Sequence, residues 1–255
     1  MSDRREHLIL LDRSFPGIRS NIERYESLGF SWDSSKPFIK TMHGEAVSHV
    51  GLMELKLCTQ GKERTIGALH AICTAERFRR QGFARELIHQ AVNEALMRYE
   101  SVILFTEIPK FYEALSFQQV KEYRFRLPLN APAGSSTLRP MTFPEDNALF
   151  LSLFKERAPL SENLWIEDRG GLAAFNTLFA TYPSYWSLSY SPSLKAVLSF
   201  MMEGSSLHLL DVAAKKLPSL EGIDPYLEFG VKPSEELAGE KTYKNIYQKN
   251  PQSLL

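Results

Sequence analysis

The chain has 255 residues, 44% of them hydrophobic, and its thirty basic and thirty acidic side chains give a formal net charge of zero. This length is enough for one large or two ordinary domains, and the balanced charge argues against a general binder of nucleic acids. The polar first seven residues lack the apolar stretch of a signal peptide, and no run approaches the roughly 18 apolar residues of a membrane span. These features predict a cytoplasmic globular protein that binds neither nucleic acid nor membrane.

The two cysteines, Cys58 and Cys73, do not form a C-x-x-C pair. A disulfide framework or a zinc site is therefore not expected, and both thiols are predicted to be small buried hydrophobes. We predict no metal site.

The first third of the chain predicts helices followed by an antiparallel meander. Asp12–Gly29 carries apolar residues at helical spacing and ends in a glycine, which is a common helix stop. Three segments then alternate as strands do, with a glycine-containing turn between each pair. These predicted strands are Phe38–Met42, Val47–Thr59 and Arg64–Thr74.

A basic loop and an amphipathic helix follow the third strand. The loop, Arg77–Gln81, leads into Gly82, and apolar residues then recur at i, i+3 and i+4 from Ala84 to Tyr99. A helix N-terminus presents unpaired backbone N–H groups and the positive end of the helix dipole, so it attracts phosphate. The glycine permits close approach, and nearby arginines add charge. A pyrophosphate is the expected ligand.

Two motifs in this region resemble those of the GNAT superfamily of N-acetyltransferases. Arg79–Ala84, R-R-Q-G-F-A, resembles the acyl-CoA motif Arg/Gln-x-x-Gly-x-Gly/Ala, and Phe111–Phe117, F-Y-E-A-L-S-F, resembles the segment that closes the same fold. A buried-type strand, Val102–Thr106, and a short helix, Lys110–Leu115, are predicted in the family's order, with a final strand at Phe117–Leu127. The resemblance implies an α/β (α+β) fold with a mixed, mostly antiparallel sheet flanked by helices.

The resemblance also implies an activity and a donor site. The activity is transfer of an acetyl group from acetyl-CoA, the cosubstrate, to a primary amine by direct attack in a ternary complex. Backbone of the third strand would bind the pantetheine arm, and the loop and helix N-terminus would bind the pyrophosphate. The residues carried over are Ile72, Cys73 and Thr74 for the arm, and Arg79, Arg80, Gln81, Gly82, Phe83, Ala84 and Arg85 for the pyrophosphate.

The family resemblance makes Tyr112 the general acid that protonates the departing CoA sulfur, and a phenol with an unperturbed pKa of about 10 is protonated at neutral pH. The base is open, because the position of the family's strand glutamate falls near Ala68. Thr106–Pro109 also lacks the asparagine that bonds the pantetheine in many family members. Strand alternation favours Glu54 or His70 as the base. In the relatives named below the base is a terminal carboxylate, here that of Leu255, and relay through water is a further alternative.

The second half predicts a divergent copy of the first. Asn130–Ser136 is rich in small residues and Pro/Gly, so it predicts a linker between a catalytic domain at 1–129 and a domain at 137–255 without the CoA motif. Leu138–Asp146 resembles the opening of a GNAT domain, and an amphipathic helix ending near Arg157 follows. This two-lobed plan is similar to that of the enhanced-intracellular-survival acetyltransferases without their sterol-carrier-like domain. Further predicted elements are strands at Leu194–Met202, Ser206–Val212 and Leu227–Val231 and helices after Pro218 and at Ser234–Ala238.

The acceptor is expected to be a small-molecule or peptide amine bound between the lobes. A dense aromatic stretch, Tyr182, Tyr185, Trp186 and Tyr190, fits either a cation–π site for that amine or ordinary core packing. Homo-oligomer formation is left open. The alternative function is a catalytically weak acyl-CoA-binding sensor or partner-binding module, which the missing glutamate and asparagine favour.

Overall fold

The computed structural model describes residues 2–120, 138–161, 164–178, 187–203, 206–218 and 245–249. The helices are α1 Ser2–Ser14, α2 Ile18–Ser27, α3 Phe83–Leu96, α4 Pro109–Glu113, α5 Asn147–Lys155 and α6 Gly171–Leu178. The strands are β1 Ser35–Met42, β2 Glu45–Thr59, β3 Lys62–Thr74, β4 Val102–Thr106, β5 Gln118–Gln119, β6 Arg139–Pro140, β7 Leu164–Glu167, β8 Ser187–Ser191, β9 Ala196–Glu203, β10 Ser206–Ala214 and β11 Asn245–Lys249. Short 3₁₀ turns lie at Trp32–Ser34 and Glu76–Phe78.

The opening helical region divides into α1 and α2. Gly17, with φ +86°, precedes α2 in the left-handed conformation that glycine adopts without strain, and Gly29, with φ +90°, follows the end of α2. The predicted helical character of Asp12–Gly29 is confirmed, but the first helix begins ten residues earlier than predicted. Its first residues are polar, and the apolar spacing shows only farther along the helix.

The first sheet has seven strands in the order β1-β2-β3-β4-β11-β5, and β7 also pairs with β2. The predicted antiparallel meander is confirmed as β1, β2 and β3, and β4 then runs parallel to β3. The long strand β2 pairs with β1 through its first half and with β7 through Lys56–Thr59. Two strands from the second half of the chain, β7 and β11, therefore complete this sheet.

Both faces of this sheet are covered. On one face the stripe of α3 packs through Leu87, Ile88 and Ala91 onto Leu69 and Leu104 of the strands. Full burial of an aliphatic side chain of this size contributes about 1.5–3 kcal/mol, so this helix is held chiefly by its stripe. The other face carries α1 and α2 and a cluster that reaches Ile166 and Leu172 of the second half.

The second sheet is antiparallel, with the order β10-β9-β8-β6. The predicted strands at Leu194–Met202 and Ser206–Val212 are confirmed as β9 and β10, and the predicted helix is α5. That helix buries Phe150 and Phe154 completely or nearly so. Just beyond it, buried Arg157 forms an ion pair with Asp211 of β10.

Several predicted elements lie outside the described residues. They are the linker Asn130–Ser136, the part of the Phe117–Leu127 strand beyond residue 120, the helix after Pro218, the strand Leu227–Val231 and the helix Ser234–Ala238. The division into domains at 1–129 and 137–255 stays a prediction. Among the described helices, none is long and apolar enough to cross a bilayer, and the described residues contain no cluster of three metal-ligating side chains.

Candidate active site

The central feature of the candidate site is a gap between β3 and β4. The two strands pair over three residues, Gly67 with Val102, Ala68 with Ile103 and Leu69 with Leu104. Beyond that point β3 continues to Thr74 and β4 to Thr106, but no pairing between them is recorded. We call this opening the splay. It leaves backbone groups of β3 available to a ligand in the way a sheet edge does.

A β-bulge on β3 lies where the splay begins. His70 pairs with Gly51 and Cys73 pairs with His49, so Ala71 and Ile72 together oppose Val50. Ala71 has φ +47°, an unfavourable conformation for a residue with a side chain. A bulge bends its strand and re-aims the residues after it. The three predicted pantetheine contacts, Ile72, Cys73 and Thr74, follow or lie in this bulge.

The predicted phosphate loop ends in a free helix N-terminus. Gly82, at φ +86°, caps α3, and the first intrahelical bond runs from the Glu86 N–H to the Gly82 carbonyl at 2.9 Å. Helix geometry therefore leaves the N–H groups of Phe83, Ala84 and Arg85 without intrahelical acceptors. No atom lies within 4 Å of a Cβ placed on Gly82, so this N-terminus is open to a ligand.

The arginines of the loop differ in their availability. Arg77 forms an ion pair with Glu45, and the Arg79 Nε donates to the Thr74 carbonyl at 3.3 Å. Within the described ranges, no carboxylate pairs with Arg80 or Arg85, and both side chains are exposed. Gln81, also exposed, donates to the Arg77 carbonyl at 3.5 Å. The unpaired charges of Arg80 and Arg85 thus lie beside the free N-terminus of α3. The hydrogen bond of Arg79 connects this loop to the end of β3.

Tyr112 lies on α4 and is 6% exposed. Its ring makes edge contacts with Phe111 and Phe117 at centroid distances of 4.9 and 6.0 Å, and it shares a core cluster with Leu104 and Ile72 of the strands that form the splay. None of the described residues hydrogen-bonds its hydroxyl. Burial raises the pKa of Tyr112 to about 12, so the phenol is neutral at physiological pH.

Of the base candidates, Glu54 is not near the splay. It pairs with Gly67, at the closed end of the β3–β4 pairing and away from the splay, and its exposed carboxylate accepts a hydrogen bond from the Tyr99 hydroxyl at 3.2 Å. His70 lies directly before the bulge, where its Nε2 is 2.6 Å from the Ser35 Oγ and its ring is edge-on to Trp32 at 5.8 Å. Leu255 lies outside the described residues.

Two neighbouring histidines of this region, His49 and His70, are neutral at pH 7. Desolvation by burial lowers the pKa of each to about 4, with a smaller effect of His7 on His49 and of His49 on His70. An unfolded histidine has a pKa of about 6.5, so the unfolded chain binds protons first as the pH falls. We expect the free energy of unfolding to decrease between about pH 6.5 and about pH 4.

Urea unfolding at several pH values measures this decrease, and the double variant His49→Asn/His70→Asn should flatten it. A decrease that is equally steep in the double variant would show that other groups cause it.

The cysteines and the aromatic stretch are placed only in part. Cys58 and Cys73 are free and half-buried rather than fully buried, and burial raises the pKa of the Cys73 thiol. Of the aromatic stretch, Tyr190 packs in the core of the second sheet beneath the Arg139 guanidinium at 5.7 Å. Tyr182, Tyr185 and Trp186 lie outside the described residues.

Comparison with known proteins agrees with this architecture. Residues 2–120 match the sequence model of the Acetyltransferase (GNAT) domain, and no curated protein matches the chain. Similar solved structures include a conserved protein of unknown function from Enterococcus faecalis V583, with TM-score 0.65 at 10% identity. Others are a GCN5-related N-acetyltransferase from Anabaena variabilis ATCC 29413 (0.57, 11%) and Eis1 from Mycobacterium abscessus (0.52, 12%).

These likenesses cover 98%, 92% and 91% of this chain and 70%, 70% and 72% of the respective structures. At such identities they show the fold alone. The chain has the GNAT fold, with a mixed sheet flanked by helices.

Sequence reasoning missed the residues that hold the bulge. His49 Nδ1 is 2.8 Å from the Ala71 carbonyl, and Ser48 Oγ donates to the Cys73 carbonyl at 3.0 Å. Both side chains are at most 2% exposed. Two consecutive polar residues inside the otherwise apolar run Ala46–Met53 were the only signal for them in the sequence.

Proposed function

We propose that the protein is an acetyl-CoA-dependent N-acetyltransferase that acetylates a primary amine by direct attack in a ternary complex. The observation that carries the proposal is the adjacency of the splay and the open N-terminus of α3, which Arg79 joins through the Thr74 carbonyl. The splay is a backbone edge suited to binding amides, and the N-terminus of α3 is an anion site. CoA carries both groups in one molecule, as a pantetheine arm attached to a pyrophosphate.

In this proposal the backbone of Ile72–Thr74 pairs with the pantetheine amides. The N–H groups of Phe83, Ala84 and Arg85 receive the pyrophosphate, and the charge of Arg80 favours the same anion. Binding both ends of the donor fixes the thioester near the acceptor amine, which lowers the entropic part of the barrier.

The chemistry begins when the neutral amine nitrogen attacks the thioester carbonyl. The carbon–sulfur bond breaks, CoA leaves as a thiolate, and the new amide nitrogen loses one proton. In this proposal the Tyr112 hydroxyl hydrogen-bonds the sulfur. The pKa of Tyr112 is raised to about 12, well above the roughly 8.5 of a thiol, so the phenol keeps its proton. It therefore stabilises the thiolate by donating a hydrogen bond, and the sulfur finally takes its proton from solvent.

We propose that water accepts the proton that the amine loses. His70 is the base candidate closest to the splay, but a histidine whose pKa is lowered to about 4 holds a proton weakly. In this proposal its neutral ring orients the amine by a hydrogen bond, and water takes the proton. The terminal carboxylate of Leu255 stays a separate prediction.

The donor site is tested by the double variant Arg80→Gln/Arg85→Gln. We expect the KM for acetyl-CoA to rise by about tenfold or more with kcat changed less than about twofold, because the lost interactions hold the phosphates and not the reacting atoms. The matched control is Arg98→Gln, which removes an exposed arginine at the other end of α3, where it pairs with Glu94. An unchanged KM in the double variant would remove the loop from the donor site.

A second function, an acyl-CoA-binding sensor, is favoured by one observation. Ala68, the position nearest the family's glutamate, is 5% exposed among Leu55, Ile66 and Ile103, so this position supplies no carboxylate. Calorimetric binding of acetyl-CoA without turnover on any amine would support this function over the transferase.

A further inference from the structure

The bulge on β3 is held from behind by two buried side chains of β2. His49 contacts the Ala71 carbonyl through Nδ1 at 2.8 Å, and Ser48 Oγ donates to the Cys73 carbonyl at 3.0 Å and lies 2.8 Å from the Thr74 hydroxyl. Burial lowers the pKa of His49 to about 4, so the ring is neutral, and Nδ1 carries the proton because it faces a carbonyl. We call Ser48 and His49 the β2 clamp.

The clamp acts at Ala71, the residue of β3 whose backbone conformation is least favourable. Ala71 has φ +47°, and such a conformation persists in a non-glycine residue only when its surroundings enforce it. A hydrogen bond to its carbonyl from a side chain that is 2% exposed is an enforcement of this kind. The ring of His7 stacks on that of His49 at 5.8 Å and helps to fix its orientation.

The orientation of the carbonyls decides what the splay presents. In a trans peptide the C=O and the following N–H point in opposite directions. Because the Ala71 carbonyl points to His49, the N–H of Ile72 points away from that side chain. Likewise, the Cys73 carbonyl points to Ser48, so the N–H of Thr74 points away from Ser48. Both N–H groups therefore point away from the clamp.

The second sheet provides a natural comparison. Its strand β10 also has a register shift, between Leu209 and Asp211, and Ser199 of β9 pairs with Asp211 as His49 pairs with Cys73. There the Ser199 hydroxyl is buried without a partner among the described residues, and the carbonyl of Val212 is bonded instead by Arg157 at 3.2 Å. Each of the two sheets contains a bulged strand, but the clamp formed by side chains of the adjacent strand is a feature of the first sheet.

We propose that the β2 clamp, Ser48 and His49, positions the donor-binding segment Ala71–Thr74 and so sets the affinity for the acyl-CoA donor. This inference rests on the proposed function, because it concerns the same splay. Ser48 and His49 are positioning residues, which act through the backbone of β3 and do not touch the substrate.

The test compares His49→Leu with His49→Asn. An asparagine Nδ2 lies the same number of bonds from the backbone as Nδ1 of histidine, so it can restore the donor, whereas leucine fills space without one. We expect His49→Leu to raise the Kd and KM for acetyl-CoA by about tenfold, while His49→Asn stays within about threefold of wild type and the KM for the amine is unchanged in both. Ser48→Ala should weaken donor binding in the same direction, and Ser199→Ala is the matched control without effect.

Hydrogen exchange of the amides of 71–74 gives a readout that needs no activity. It should be faster in His49→Leu than in wild type or His49→Asn, and Ser48→Ala gives the same readout if His49→Leu fails to fold. Equal impairment of His49→Asn and His49→Leu, or wild-type binding and exchange in His49→Leu, would overturn the clamp. Wild-type protein that binds no acetyl-CoA in calorimetry would instead overturn the proposed function, a result distinguishable because exchange still reports on the clamp's effect on β3.

Discussion

Replacing Tyr112 with phenylalanine should lower kcat by roughly 10²–10³-fold and leave the Kd for acetyl-CoA within about threefold. The change deletes one oxygen and keeps the ring that packs against Phe111 and Phe117. The loss should therefore fall on the thiolate that develops in the transition state and not on ground-state binding. Steady-state kinetics of CoA thiol release and calorimetry of acetyl-CoA binding measure the two quantities separately.

The pH dependence sharpens this prediction. Because burial raises the pKa of Tyr112 to about 12, the phenol is neutral in the ligand-free protein at pH values up to at least about 10. Wild type and Tyr112→Phe should therefore show pH profiles of kcat/KM with the same shape below pH 10, differing in height. Tyr99→Phe is the control, since that hydroxyl bonds Glu54 away from the splay. Wild-type kcat in Tyr112→Phe would end the assigned role.

Gly51→Ala should be among the most destabilising single changes in the first sheet. A Cβ at this position would lie 2.5 Å from His70 Nε2 and 2.8 Å from Cε1. The ring cannot retreat freely, because Trp32 packs against it and Ser35 bonds it. Overpacking of this kind costs about 1–3 kcal/mol, and urea unfolding at pH 7 measures the loss.

The double variant Gly51→Ala/His70→Ala separates the collision from other effects. If the added methyl collides with the imidazole, removing the ring makes room for it, and the penalty of Gly51→Ala should largely disappear in the His70→Ala background. Additive penalties would show that Gly51 matters for a reason other than contact with His70. Breaking the Ser35–His70 bond should also lower activity if His70 orients the amine.

Much of the first half could be predicted from the sequence, because its signals are local. The meander has alternating residues and glycine turns, and α3 has a clear apolar stripe after Gly82. The bulge could not be predicted, because its left-handed residue is Ala71, and alanine gives no sign of a positive φ. Its cause is a partner on another strand, His49, which local patterns do not contain.

The strands that complete the sheet were missed for a related reason. Both β7 and β11 are short, four and five residues, and they pair with strands about a hundred residues or more away in sequence. Hydrophobic patterning specifies a face of a strand, but it does not specify the neighbour. A partition of the chain by composition therefore could not show that the second half contributes to the first sheet.

The candidate site shows the same limit. The motif identified the loop from Arg79 to Arg85, but only the structure shows that Arg77 is paired with Glu45 while Arg80 and Arg85 have no carboxylate partner among the described residues. Strand alternation could not separate Glu54 from His70, because it gives the face of a residue and not its distance from the splay. The strand register supplies that distance, and it places Glu54 at the closed end of the β3–β4 pairing, away from the splay.

The most direct test of the central claim is release of CoA thiol from acetyl-CoA by the purified chain, with and without a panel of polyamines, aminoglycosides and short peptides. Our account predicts release that depends on one class of amine, falls strongly in Tyr112→Phe and requires more acetyl-CoA in Arg80→Gln/Arg85→Gln. Absence of release with every amine, together with absence of acetyl-CoA binding in calorimetry, would contradict it.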